Sequence, residues 1–185
     1  MPVAGSGVER ACVVWLTGLP SAGKSTLAAL LVEVLQKHGH RVERLDGDEV
    51  RTWLTPDLGF TREARDENVR RVAGVARLLV RHGVFVVAAL VSPYRKARDE
   101  ARAIVGDFVE VHVDCDSAEC ARRDVKGLYR RALAGEITGF TGVSDPYEPP
   151  EAPEVTLRTD RERPEECVAK ILATLAARGY TAREA

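Results

Sequence analysis

Val13-Val14-Trp15-Leu16-Thr17, followed at once by Gly18-Leu19-Pro20-Ser21-Ala22-Gly23-Lys24-Ser25-Thr26, decides the fold of this chain. The first five residues belong to an apolar run over 11–17, of strand length and ending at a glycine, which predicts a buried strand. The nine that follow fill the pattern G-x-x-x-x-G-K-[ST]. Leu27, Leu30, Leu31, Val34 and Leu35 then fall on one stripe at helical spacing, so a helix runs over 25–38 with Gly39 as its C-cap. Strand, glycine loop and helix in that order make a phosphate cradle. The glycines let successive N–H groups face one centre, and the helix N-terminus adds partial positive charge. Lys24 reaches toward the β/γ-phosphates of a nucleotide, and the Ser25 hydroxyl suits Mg²⁺. Every residue from Gly18 to Thr26 is therefore a candidate nucleotide contact.

Outside the loop the alternation repeats. Strand patterns at 41–45, 84–90 and 108–113 are separated by helical patterns at 63–82 and from 93 to about 105, and a helix over 164–178 follows the irregular stretch 140–153. Segment 84–91 is apolar at every position, as a strand covered on both faces requires. The expected architecture is α/β: a three-layer P-loop NTPase fold with a mostly parallel central sheet, helices on both faces and a mobile lid. Residues 1–10 read as a flexible lead and 11–185 as one domain.

The 185 residues carry 27 basic and 28 acidic side chains, a formal charge of −1, so no global field recruits nucleic acid. The longest apolar runs fall far short of the roughly 18 residues a span requires, and no basic-then-apolar leader opens the chain, so neither membrane insertion nor secretion is expected. The four cysteines form no C-x-x-C pair and the four histidines no zinc spacing, which points to reduced thiols in a cytoplasm. Asn68 is the only asparagine, so the N-K-x-D element of guanine-reading switches is absent. An ATP-using phosphotransferase is favoured instead.

The acceptor side begins at Asp46-Gly47-Asp48, two carboxylates at a strand's C-terminal edge, where ligands of open α/β sheets bind. One can hold metal-bound water while the other accepts a hydroxyl proton; the plainer reading makes Asp48 the cap of a helix starting near Glu49. Arg51, Arg65 and Arg70 stand out among the arginines that follow, near Phe60 and Asn68, as forks for a second anionic ligand beside a stacking ring. Ser92, in Ser92-Pro93-Tyr94-Arg95, reads most simply as a helix cap. The cluster Arg122-Arg123-Asp124-Val125-Lys126, with the glycines that follow it, suits a lid over about 122–150; a basic surface helix with a loop is the plainer alternative.

Taken together, GLPSAGKST, LDGDEVR, LGFTREARDENVRRV, SPYRKARDEAR and RDVKGLYRRALAGEITGFTGVSDPYEPPEAPEV resemble the adenylylsulfate kinases. The resemblance implies transfer of the γ-phosphoryl group of ATP to the 3′-hydroxyl of adenosine 5′-phosphosulfate, with Mg²⁺. It implies catalytic roles for Lys24, Asp48, Ser92 and Lys126, and metal ligation by Ser25 and Asp48. Phe60 and Phe140 would sandwich the acceptor adenine, and Asp46, Arg51, Arg65, Asn68, Val91, Leu128 and Lys126 would line the rest of that subsite. Arg122 or Arg123 would flank the ATP adenine. A homodimer without a fused sulfate adenylyltransferase is expected. Three departures stand out: Ser21 for a glycine, tolerable if its φ stays negative; Ala64 for an aspartate beside Arg65; and Val125 for a proline before Lys126. The competing readings are a kinase of the same fold with another small-molecule acceptor, and a nucleotide-binding regulator without catalysis.

Overall fold

The computed structural model describes residues 10–182, so the expected lead lies, Arg10 excepted, outside it. In chain order the elements are β1 (Val13–Thr17), α1 (Lys24–Lys37), β2 (Val42–Asp46), α2 (Gly47–Trp53), α3 (Arg62–Arg81), β3 (Phe85–Ala89), α4 (Arg95–Val105), β4 (Phe108–Asp114), α5 (Ser117–Arg123), α6 (Leu128–Leu133), β5 (Val155–Arg158) and α7 (Pro164–Ala177). The strands form one sheet in the order β2-β3-β1-β4-β5, every pairing parallel.

The apolar run of β1 is buried at all five positions because it is the central strand, with Val13 opposite Val86 on one side and Phe108 on the other. Its side chains alternate between two cores. Val14 and Leu16 join Leu27, Leu31, Ile171 and Leu175 beneath α1 and α7. Val13 and Trp15 join Val72, Ala76 and Ala101 beneath α3 and α4. Trp15 stacks on Phe108 with centroids 5.5 Å apart, a fully buried pairing whose loss on truncation to alanine is worth about 3–5 kcal/mol.

The pattern reading misses β5. Its four residues follow Pro153, its Thr156 is exposed, and only the register Val111 to Val155 on β4 makes it a strand. The helix expected near Glu49 starts earlier, at Gly47, because Asp46 rather than Asp48 caps it: the Asp46 Oδ1 accepts from the Asp48 N–H at 3.1 Å. No helix among the described residues is long and apolar enough to cross a membrane.

Candidate active site

The phosphate loop is shaped from within and braced from outside. Gly18 holds φ +158°, and a Cβ there would lie 2.4 Å from the Val113 carbonyl oxygen, so the backbone just past β1 lies too close to β4 for any side chain. Ser21 does not keep a negative φ: it sits at +61°, a left-handed conformation costing about 1 kcal/mol where glycine would be free. The turn that demands it closes through the Ala22 N–H on the Leu19 carbonyl. Two hydroxyls hold the loop in place, Thr159 donating to the Ala22 carbonyl at 2.8 Å and Tyr129 to the Pro20 carbonyl at 3.2 Å. Neither stands out in the sequence.

Lys24 is buried, and its Nζ donates to the Gly18 and Leu19 carbonyls at 2.9 and 2.7 Å. Burial pushes its ammonium down to about 8, with Lys126 adding like charge and Asp46 acting against the shift. The Ser25 Oγ donates to the Asp46 Oδ2 at 2.7 Å. The two carboxylates thus separate: Asp46 faces Ser25, whereas the Asp48 carboxylate is paired with the Lys126 ammonium across the cleft mouth. Of the two carboxylates, Asp46 is the one beside Ser25, the residue expected to pair with Asp48 on the metal.

A cleft of about 510 Å³ joins these groups to the acceptor candidates. Phe60, Phe140, Arg51, Arg65, Asn68, Val91, Ser92, Leu128 and Lys126 all line it together with Lys24. Phe60 is 63% exposed and carries the Arg51 guanidinium on its face, 4.4 Å from the ring centre. Arg51 donates to the Leu58 and Gly59 carbonyls, so the loop and its ring are held by the same fork. Burial first, then Arg65, holds the Arg51 pKa below its usual value. Phe140, buried and also lining the cleft, meets Tyr129 edge to face with centroids at 5.0 Å. Arg65 donates to the Phe60 carbonyl (2.9 Å), the Thr141 hydroxyl (3.1 Å) and the Gly139 carbonyl (2.6 Å). Those acceptors orient it without the aspartate that Ala64 replaces. Arg70, by contrast, is a surface residue paired with Glu67, outside the cleft.

Ser92 is not a cap. Tyr94 occupies the N-cap of α4, because Ser92 turns through φ +38° and its Oγ accepts from the Trp15 indole N–H at 3.1 Å in a buried setting. The distortion is held by Arg98, which is 2% exposed: its fork donates to the Ser92 carbonyl (2.7 Å), the Glu148 carbonyl (2.7 Å) and the Glu110 carboxylate (2.8 Å). Residues 145–148 are fixed to the same strand end through Tyr94 to Asp145 (2.7 Å) and the Glu148 N–H to the Pro93 carbonyl (2.8 Å). The stretch 140–153 is thus irregular, as expected, yet firmly attached.

Arg122 and Arg123 end α5 beside Glu119, whose carboxyl their hydrogen bonds hold down at about 2. Neither lines the cleft; Arg123 also donates to the Thr159 carbonyl, behind the phosphate loop. Val125 is 80% exposed beside Lys126 at the cleft mouth.

A family model described as Adenylylsulphate kinase matches residues 10–158. An adenylyl-sulfate kinase of Gloeothece citriformis is 55% identical over 172 residues, covering 93% of this chain and 98% of its own. One from Halothermothrix orenii is 51% identical over 172 residues, with 93% of each chain covered. Among solved structures, the Mycobacterium tuberculosis APS kinase in complex with AMPPNP and APS superposes with a TM-score of 0.86 at 42% identity, over 90% of this chain and 98% of that one. Motif order, cleft and relatives agree, and the chain belongs to the adenylylsulfate kinase family.

Proposed function

We propose that this cleft transfers the γ-phosphoryl group of ATP to the 3′-hydroxyl of adenosine 5′-phosphosulfate, giving 3′-phosphoadenosine 5′-phosphosulfate and ADP. The observation that carries the reading is one cleft lined both by the phosphate loop with Lys24 and by two aromatic rings with an arginine pair. Its support from relatives is the Mycobacterium tuberculosis enzyme, solved with an ATP analogue and APS together.

In this reading Lys24 leaves the Gly18 and Leu19 carbonyls for the donor's β/γ-phosphates, and the loop N–H groups from Gly18 to Thr26 hold the remaining oxygens. The 3′-oxygen forms its bond to the γ-phosphorus as the bond to the bridging oxygen of ADP breaks, and the hydroxyl proton passes to Asp48. Lys126 partners Asp48 before substrates enter and turns to the transferring phosphate afterwards. Phe60 and Phe140 sandwich the acceptor adenine, while Arg51, Arg65 and Asn68 hold its ribose and phosphosulfate. Val91, Ser92 and Leu128 shape the floor, and the burial of Ser92 against Trp15 supports direct transfer rather than a phosphoserine. Ser25 and Asp46 are hard oxygen donors 2.7 Å apart, a set that fits Mg²⁺, with Asp48 next along the chain. Bound there, the ion would neutralise phosphate charge. Arg122 or Arg123 would flank the donor's adenine from α5, outside the cleft that takes the acceptor.

Residues 11–185 act as one kinase domain in which 122–150 is the lid, hinged at its glycines and anchored at 145–148. Four buried, unpaired cysteines support a reducing cytoplasm, and the family resemblance supports a homodimer, which sedimentation tests. The decisive assay follows ADP formation with and without adenosine 5′-phosphosulfate, with labelled phosphate traced to the 3′-oxygen. Lys24→Ala should leave little turnover. Label on any other atom, or a non-nucleotide alcohol that outcompetes the phosphosulfate, overturns the assignment.

A further inference from the structure

The loop joining α2 to α3 contains one buried hydroxyl with a single task. Thr55 is fully buried, its N–H donates to the Val50 carbonyl at 3.2 Å, and its carbonyl accepts from the Leu58 N–H at 3.1 Å, so its main chain is satisfied locally. Its Oγ1 donates to the Asn68 Oδ1 at 2.7 Å. Asn68 lines the cleft; Thr55 does not. A side-chain amide has one carbonyl and one NH₂ group, and a hydroxyl that gives its only proton to the carbonyl leaves the NH₂ as the free end. The reversed amide would make the hydroxyl an acceptor and strand its proton in a dry pocket. We propose that Thr55 is a positioning residue, holding Asn68 with its NH₂ presented to the cleft so that the site demands a hydrogen-bond-accepting oxygen of the acceptor molecule at that point. The proposal rests on the functional reading above, in which that oxygen belongs to the ribose or phosphosulfate of the acceptor.

Arg51 and Arg65 attract any anion, whereas a neutral donor fixed at one angle discriminates between anions of different shape. Loss of the anchor frees the amide to rotate and weakens acceptor recognition while the donor subsite, built on the phosphate loop, is untouched.

Three proteins decide the matter: wild type, Thr55→Val, which keeps the shape without the hydroxyl, and Thr55→Ser, which keeps the hydroxyl. Steady-state assays with ATP and adenosine 5′-phosphosulfate should show KM for the phosphosulfate raised about tenfold in Thr55→Val, KM for ATP within about twofold, and near-complete rescue in Thr55→Ser. Because Asn68 is the only asparagine, isotopic labelling of asparagine gives one side-chain NH₂ pair in the NMR spectrum. That pair should shift when the phosphosulfate is added to the wild type with ADP, and should be averaged or unshifted in Thr55→Val. An unchanged KM for the phosphosulfate in a folded Thr55→Val overturns the proposal, as does a parallel rise of both KM values or a failure of Thr55→Ser to rescue. A wild type that turns over no phosphosulfate overturns the functional reading itself, and the proposal with it.

Discussion

Exchanging Lys24 for methionine should stabilise the ligand-free protein near pH 7 while abolishing turnover, and the size of the gain should shrink as pH rises. Burial holds the Lys24 ammonium at about 8 against an ordinary 10.5. Between those two values the unfolded chain binds more protons than the folded one, so stability rises with pH across that window; below about 8 the full penalty of the desolvated charge stands. That penalty amounts to about 3 kcal/mol, offset by about 1 kcal/mol for each of the bonds to the Gly18 and Leu19 carbonyls. Raising the pH from about 7 to about 9.5 relieves about 2 kcal/mol in the wild type and nothing in Lys24→Met. For a chain of this size that raises the wild type's melting temperature by about 4–8 °C relative to Lys24→Met, enough to cancel the starting gain of about 1 kcal/mol and then reverse its sign. Cys12 and Tyr129, whose protons burial also retains, occur in both proteins and cancel in the difference. Paired thermal melts of the ligand-free proteins across that range are the assay. A difference that stays flat or widens with pH would refute the view that the loop holds a desolvated ammonium in readiness for phosphate.

Two further outcomes follow from the strand end that carries Ser92. Ser92→Ala should retain kcat within about threefold and yield no phosphoserine in mass spectra of quenched turnover, while losing about 1–3 kcal/mol of stability because the Trp15 N–H is left unpaired. Arg98→Leu should cost about 3 kcal/mol in denaturant titrations by leaving the buried Glu110 carboxylate with only Arg102 at 3.5 Å, and adding Glu110→Leu should return part of it; a double variant no better than the single one contradicts the pairing.

The central architecture was legible because β1, the phosphate loop and α1 each carry a period or a punctuation that few alternatives share. The acceptor residues are legible only in part: arginines and a phenylalanine near strand ends have a chemistry, but their grouping around one cleft depends on the sheet order, which no local pattern states. What stayed hidden are residues whose meaning lies in a distant partner. Arg98 and Glu110 look like solvated charges until the fold buries them together. Thr159 and Tyr129 become loop braces only once β5 and α6 lie beside Pro20 and Ala22. The roles of Asp46 and Asp48 could not be divided by spacing alone, since the helix start that separates them depends on which carboxylate turns back to cap it.

The hydroxyl of Tyr129 belongs to α6, within the proposed lid, yet it grips the carbonyl of Pro20 in the donor loop, while its ring supports Phe140 on the acceptor side. One side chain therefore touches both the donor loop and the acceptor ring. If 122–150 moves as the proposed lid, Phe140 travels with Tyr129, and the hydrogen bond to the Pro20 carbonyl is the contact that opening breaks, so uncovering the acceptor ring and loosening the donor loop become one mechanical step.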